Sequence, residues 1–175
     1  SKTDWASFAS KFKGLSVTKQ VELLDAIAEI HPKESALLLI GIQSKNSHVR
    51  TSLAIALLRV HKEMDFVKVW NLLGEGSLDG VAVGQALKNV SVSESLKSKL
   101  VSFDALSSEQ QKALILYAAS RKWEGVVPHM WKAIQSNSTN RLAGFLALPD
   151  LVKVQDFDLV AGKLGQTDVE AEVKA

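Results

Sequence analysis

Apolar residues return to the same relative place in this chain every thirty positions. In the stretch 46–60, Leu53, Ala56, Leu57 and Val60 fall at helical spacing and mark one apolar face. Thirty residues earlier stand Leu23, Ala26, Ile27 and Ile30, and thirty later Val83, Ala86, Leu87 and Val90. A second set keeps the same step: Ala36, Phe66, Leu96 and Val126, and with them Ile40, Trp70, Leu100 and Met130. The two sets alternate as a short first helix and a longer second helix. Such a pair cannot bury its apolar faces alone, so the pattern predicts an all-α array whose neighbours stack in chain order.

Local signals divide the array. Thr3 can cap a helix carrying Trp5, Phe8 and Phe12, stopped at Gly14. Helices are predicted over 17–30 (Leu23, Leu24, Ile27 and Ile30 inward), 34–45, and from Ser47 as cap to His61. Pro32 permits a new start there and prevents the earlier helix from continuing. A further helix covers 65–73, and the loop 74–77 leads into one ending near Val90. Ser93 opens the next, and Ser107 with Gln110 reads as a capping box. Helices at 126–134, with Pro128 in the first turn, and at 136–148 complete five units: 3–30, 32–60, 63–90, 93–122 and 126–148. Residues 149–164 are expected to form a terminal cap, and 165–175 have little to bury and should fray.

Composition narrows the function classes. With 21 basic and 19 acidic side chains the net charge is +2, too balanced for a strong nucleic-acid or membrane-surface field. The absence of cysteine excludes disulfides, thiolate metal sites and cysteine nucleophiles. No apolar run approaches the roughly 20 residues that span a bilayer, so no membrane insertion is expected, and a cytoplasmic location is the default. Ser1 in place of an initiating methionine fits a processed protein or one domain of a larger polypeptide.

The segment Val49-Arg50-Thr51-Ser52-Leu53-Ala54-Ile55-Ala56-Leu57 resembles the second helix of a HEAT repeat. That pattern runs Val-Arg, two spacers, two small or apolar residues, a spacer, then Ala-Leu, and residues 34–46 resemble the first helix and turn before it. The stretch 127–146 is similar, with Thr139 in the arginine's place, where the two intervening units carry Gly80 and Gln110. One unit therefore has the full signature. The thirty-residue step is nearer the short HEAT-like repeats of bilin lyases and bacterial regulators than the longer eukaryotic ones. The resemblance implies a right-handed α-solenoid of about five pairs, with the second helices lining a concave side. Family members are mostly docking scaffolds. A minority are DNA glycosylases acting on alkylated bases, or lyases that attach bilins.

Counting along the second helices gives the side opposite the apolar stripe. It carries Thr18, Glu22, Asp25 and Glu29, then His48, Ser52 and Arg59, then Gln85 and Asn89, Ser108 and Lys112, and Asn137 and Arg141. The candidate partner-binding set is Glu22, Asp25, Glu29, Arg59, Gln85, Asn89, Lys112 and Arg141, running from acidic to basic. Against it stands a plain solvated face. Arg50 points to the apolar side and is expected to bond the turn near Asn46. Trp70 and Trp131 read as packing residues, while Trp123 beside Arg121 and Lys122 is a weaker candidate for base stacking. His31 and His61 occupy equivalent places, but about 10 Å between packed helices is too far for a shared metal. Gly74-Glu75-Gly76 lacks the Gly-Lys-Ser/Thr of a phosphate cradle. No catalytic set, metal or cofactor is expected. The reading is a non-catalytic scaffold for a protein or peptide of mixed charge, with nucleic acid or a bilin-carrying protein as alternatives.

Overall fold

Among the described residues, most positions of the two alternating patterns lie in helices. The computed structural model describes residues 5–30, 42–61, 65–136, 138–152 and 162. Among these residues there are nine α-helices and no strand. They are α1 (Trp5–Lys13), α2 (Val17–Ile30), α3 (Ser47–His61), α4 (Phe66–Gly74), α5 (Gly80–Leu87), α6 (Ser93–Val101), α7 (Ser108–Ser120), α8 (Val127–Gln135) and α9 (Arg141–Leu151). The helices of the second set pack in chain order, α2 on α3, α3 on α5, α5 on α7 and α7 on α9. Helix α5 has eight residues against nine in α4, so the expected short-then-longer alternation fails there. The short helices α4, α6 and α8 lie against α7, and α8 also packs on α9. The helix predicted at 34–45 falls largely outside the described residues, and 42–46 are not helical. The proposed cap and tail also lie outside them, apart from 149–152 and 162.

Two hydrophobic clusters fill the interior, and α3 contributes to both. Val49, Ala56 and Leu57 join Phe12, Leu24, Ile27 and Ala28 in the first. Ala54 and Leu58 join the larger one, which passes through Trp70, Leu87, Leu114 and Met130 to Ala147. The short-helix register is buried as predicted at Phe66, Leu96 and Val126 and at Trp70 and Met130. In the longer helices Ile27, Leu57 and Leu87 are all buried. Ile30 is not inward as expected but 71% exposed, and Ala26 is exposed while Ala56 is fully buried. Periodicity identifies a face of a helix and says nothing of how far along the axis the neighbour reaches.

The turns are held by polar side chains reaching back from the second helices. Gln20 Nε2 donates to the carbonyls of Phe12 and Leu15, eight and five residues earlier. Gln111 Nε2 does the same to Phe103 and Leu106, at the same separations. The residues concerned form one motif, Phe-x-x-Leu-Ser-x-x-x-Gln, present at 12–20 and again at 103–111. Arg50 takes this role on α3. Its Nη1 donates to Lys45 O, five residues back, at 2.7 Å, and its Nε donates to Ser77 O of the next unit at 3.1 Å. The arginine thus bonds the turn before α3, as expected, and also the turn before α5. These bonds satisfy carbonyls that helix ends leave without intrahelical partners.

Several caps differ from the sequence reading. Ser107 and Gln110 do form the predicted capping box. The cap of α3, however, is Asn46, whose Oδ1 accepts from the backbone N–H groups of His48 and Val49. Asp79 caps α5 by accepting from Val81 and Ala82, so that helix begins at Gly80 and ends at Leu87, not near Val90. Helix α9 starts at Arg141 rather than 136 and continues through Pro149 to Leu151. Gly80, which stands where the arginine is missing, has a steric reason. A Cβ there would lie 2.1 Å from Glu109 O, and one on Gly84 would lie 2.9 Å from Ala113 Cα. Helices α5 and α7 approach too closely for a side chain.

Gly80→Ala should therefore lower stability by about 1–3 kcal/mol or more, because backbone must move. Gly14→Ala, whose Cβ would make only a 3.5 Å contact to Lys11 O, should stay within about 1 kcal/mol. Arg50→Met, which keeps the apolar stem and removes the donors, should cost about 1–3 kcal/mol. Urea-unfolding midpoints at constant slope measure all three.

Candidate functional site

Helix α3 has two working sides. At about 100° per residue, Arg50, Leu53, Ala54 and Leu57 cluster on one side, and His48, Ser52 and Ile55 lie about 180° away. The first side looks toward α4 and shares a cavity of about 280 Å³ with Lys68, Val69 and Leu72. The second faces away from that layer and opens on a groove of about 440 Å³ between α2, α3 and α5. Val17 and Val21 of α2, Ile55 of α3 and Ala82 of α5 give the groove an apolar floor. Glu22 and His48 stand at its rim. Val21 packs on the fringe of one hydrophobic cluster and Ile55 on that of the other, so the groove follows the seam between them. One end is fixed by Thr51, buried to 7% exposure, whose hydroxyl accepts from Asp79 N at 3.0 Å.

The structure distributes the eight candidate residues unevenly. Glu22 lines the groove and Glu29 is exposed farther along α2. Asp25 and Arg59, read as belonging to opposite ends of a charge gradient, face each other across α2 and α3 at 3.8 Å. Gln85 and Asn89 are exposed on and just after α5. Lys112 is largely covered, with 16% of its side chain exposed, and pairs with Glu109 at 2.7 Å. Glu109 in turn accepts from Gly80 N, so the lysine belongs to the α5–α7 contact. Arg141 is half-buried, with Nε and Nη2 shielded from solvent and its guanidinium over the Phe145 ring. Ser108 donates to Asn140 Oδ1 and bonds the Thr139 hydroxyl, joining α7 to the turn before α9. Asn137 and His31 lie outside the described residues, as do the side chains of Trp5 and His61.

The row of long helices is braced at its C-terminal half. Lys88 Nζ, just beyond α5, meets Asp150 of α9 at 3.0 Å, spanning the end of α7 that lies between them. Arg121 Nη2 donates to the carbonyls of Lys88 and Val90 there. Open clefts lie on both halves, one of about 430 Å³ over α5, α7 and α9, where Lys112 and Thr139 line it, and the apolar-floored one over α2, α3 and α5. Sequence reasoning missed Val21, Ile55, Ala82 and Asp79 as groove residues. Ile55 could have been found, since it shares a face with His48 and Ser52, both identified.

Trp123 is occupied by its own neighbours. Its ring meets Tyr117 edge-on at 5.6 Å, with Lys97 Nζ 5.8 Å above it. His129 stacks on Phe103 with centroids 4.0 Å apart. Among the described residues no three His, Asp or Glu side chains converge as a metal-binding group, and no helix is long and apolar enough to cross a membrane. Comparison of the chain with protein-family models, curated proteins and solved structures finds no match in any of the three.

Because both partners of the Asp25–Arg59 pair are about half exposed, Arg59→Ala should change stability by less than about 1 kcal/mol. Thermal unfolding of the variant beside the parent protein checks this.

Proposed function

We propose that this chain is a HEAT-like α-solenoid serving as a non-catalytic docking scaffold, with a protein or peptide held along its row of second helices. In this reading the array is right-handed and comprises five pairs, 3–30, 32–60, 63–90, 93–122 and 126–148, closed by a cap at 149–164. The second helices line the concave side. The observation that carries the proposal is the groove over α2, α3 and α5, which opens on the side of α3 opposite the first-helix layer. Support comes also from the chain-order packing of the long helices and from Arg50, which bonds two successive turns as the signature arginine of such an array would. A scaffold needs a surface that can vary while its packing face is kept. Residues His48, Ser52 and Ile55 supply that surface without belonging to the tether.

The test uses the immobilised 175-residue chain and extract from its source. Ser52→Trp fills the groove from its wall, and Val67→Lys alters an exposed position on α4. Proteins retained by the parent chain should be lost with Ser52→Trp and kept with Val67→Lys, while the helical circular dichroism of both variants stays unchanged. Equal retention by the parent and Ser52→Trp, or loss confined to Val67→Lys, overturns the assignment of this face.

A further inference from the structure

We propose that the groove over α2, α3 and α5 selects a basic amphipathic segment of its protein partner, an inference that rests on the docking-scaffold reading above. The floor supplies one half of the argument. Val17, Val21, Ile55 and Ala82 form an apolar strip of the kind that accepts anchors spaced along one side of a helix or extended peptide.

Charge supplies the other half. Of the basic candidates, Arg59 faces Asp25 in a half-exposed pair, Lys112 is paired with Glu109 and Arg141 lies over the Phe145 ring, so none of them lines this groove. What remains at the groove is negative. Glu22 is exposed at the rim and makes no ion pair among the described residues, and Asp79 closes one end. Glu29 lies two turns beyond Glu22 on α2, about 10 Å along the axis and on the same side. No lysine or arginine lines the groove. An acidic partner would bring its carboxylates against Glu22 with no cation to receive them. A basic one, with its apolar side chains on the floor, places lysine or arginine at the rim. Since these carboxylates are exposed, they set selectivity and association rate more than affinity, and their effect declines with salt.

A display selection with a random peptide library on the immobilised full chain tests the inference. Clones that bind the parent and not Ser52→Trp are groove ligands by definition. The expected result is that these clones pair Lys or Arg with Leu, Ile or Phe at helical or alternating spacing. In solution such a peptide should bind Glu22→Lys at least about tenfold more weakly, with the parent's affinity falling as salt is raised. Groove-dependent clones that are acidic or uncharged, or a basic clone indifferent to Glu22→Lys, overturn the basic-partner inference and leave the docking face standing. If every recovered clone binds Ser52→Trp as well as the parent, the docking face falls with it. Circular dichroism of both variants ensures that a lost clone reports the groove rather than unfolding.

Discussion

The guanidinium of Arg50 joins two turns that no helix end could satisfy by itself. One nitrogen takes the carbonyl of Lys45 behind it and another takes Ser77 O, twenty-seven residues ahead. Both are charge-assisted; the one to Ser77 O is partly buried while the one to Lys45 O is exposed to solvent. Bonds to charged groups are worth about 1.5–3 kcal/mol, less where water competes. The planar fork matters, because the two donors leave the guanidinium in fixed relative directions. A second unit cannot shift along the first without breaking one of them. Gln20 and Gln111 perform the backward half of the task with a neutral amide. Gln111 extends it forward by accepting from Asn140 of the following unit. The polar tethers therefore fix the register between pairs, and apolar burial, which has no direction, supplies most of the attraction.

How tightly the pairs close depends on what each long helix offers its neighbour. Between α5 and α7 the glycines at 80 and 84 let backbones meet, and Glu109 receives Gly80 N within the contact. The Lys88–Asp150 pair then draws α5 and α9 together across the end of α7. Between α2 and α3 the buried alanines Ala28 and Ala56 share one cluster, while Val21 packs on the edge of that cluster and Ile55 on the edge of the other. The groove lies where α3 meets α5 less extensively than it meets α2, and Asp79, just before α5, closes one end.

Burial repeats with the fold, which is why the thirty-residue register was readable. Each of Phe66, Leu96 and Val126 meets the same surroundings, so each had to be apolar. The capping box at Ser107 was readable because its two side chains stand three residues apart in sequence. The tethers were harder to see. Gln20 and Gln111 are polar residues within a largely apolar face, and a count of apolar positions passes over them. Gly80 looked like a departure from pattern, and its cause lies on another helix, at Glu109. The candidate site suffered most. Counting along one helix gives the directions of Asp25 and Arg59 but cannot show that neighbouring helices bring them to 3.8 Å. The Glu109–Lys112 pair, three residues apart on α7, was open to such a count, but the bond from Gly80 N of α5 that fixes Glu109 was not.

The separation of faces on α3 has a consequence for what the groove can become. Arg50, Leu53 and Leu57 are committed to the turn and the first-helix layer, so changes there act on stability. His48, Ser52 and Ile55 lie half a turn away and take no part in the tether. Thr51 sits between the two sets, and its hydroxyl holds Asp79, the residue that both caps α5 and ends the groove. A substitution at Thr51 would thus disturb the start of α5 and the shape of the groove together. By contrast, Ser52 and Glu22 can alter in size and charge with little effect on packing. In the proposed docking role, ligand preference would rest on positions such as Glu22 of α2 and His48 and Ser52 of α3, while Arg50 on the opposite side of α3 holds the turns.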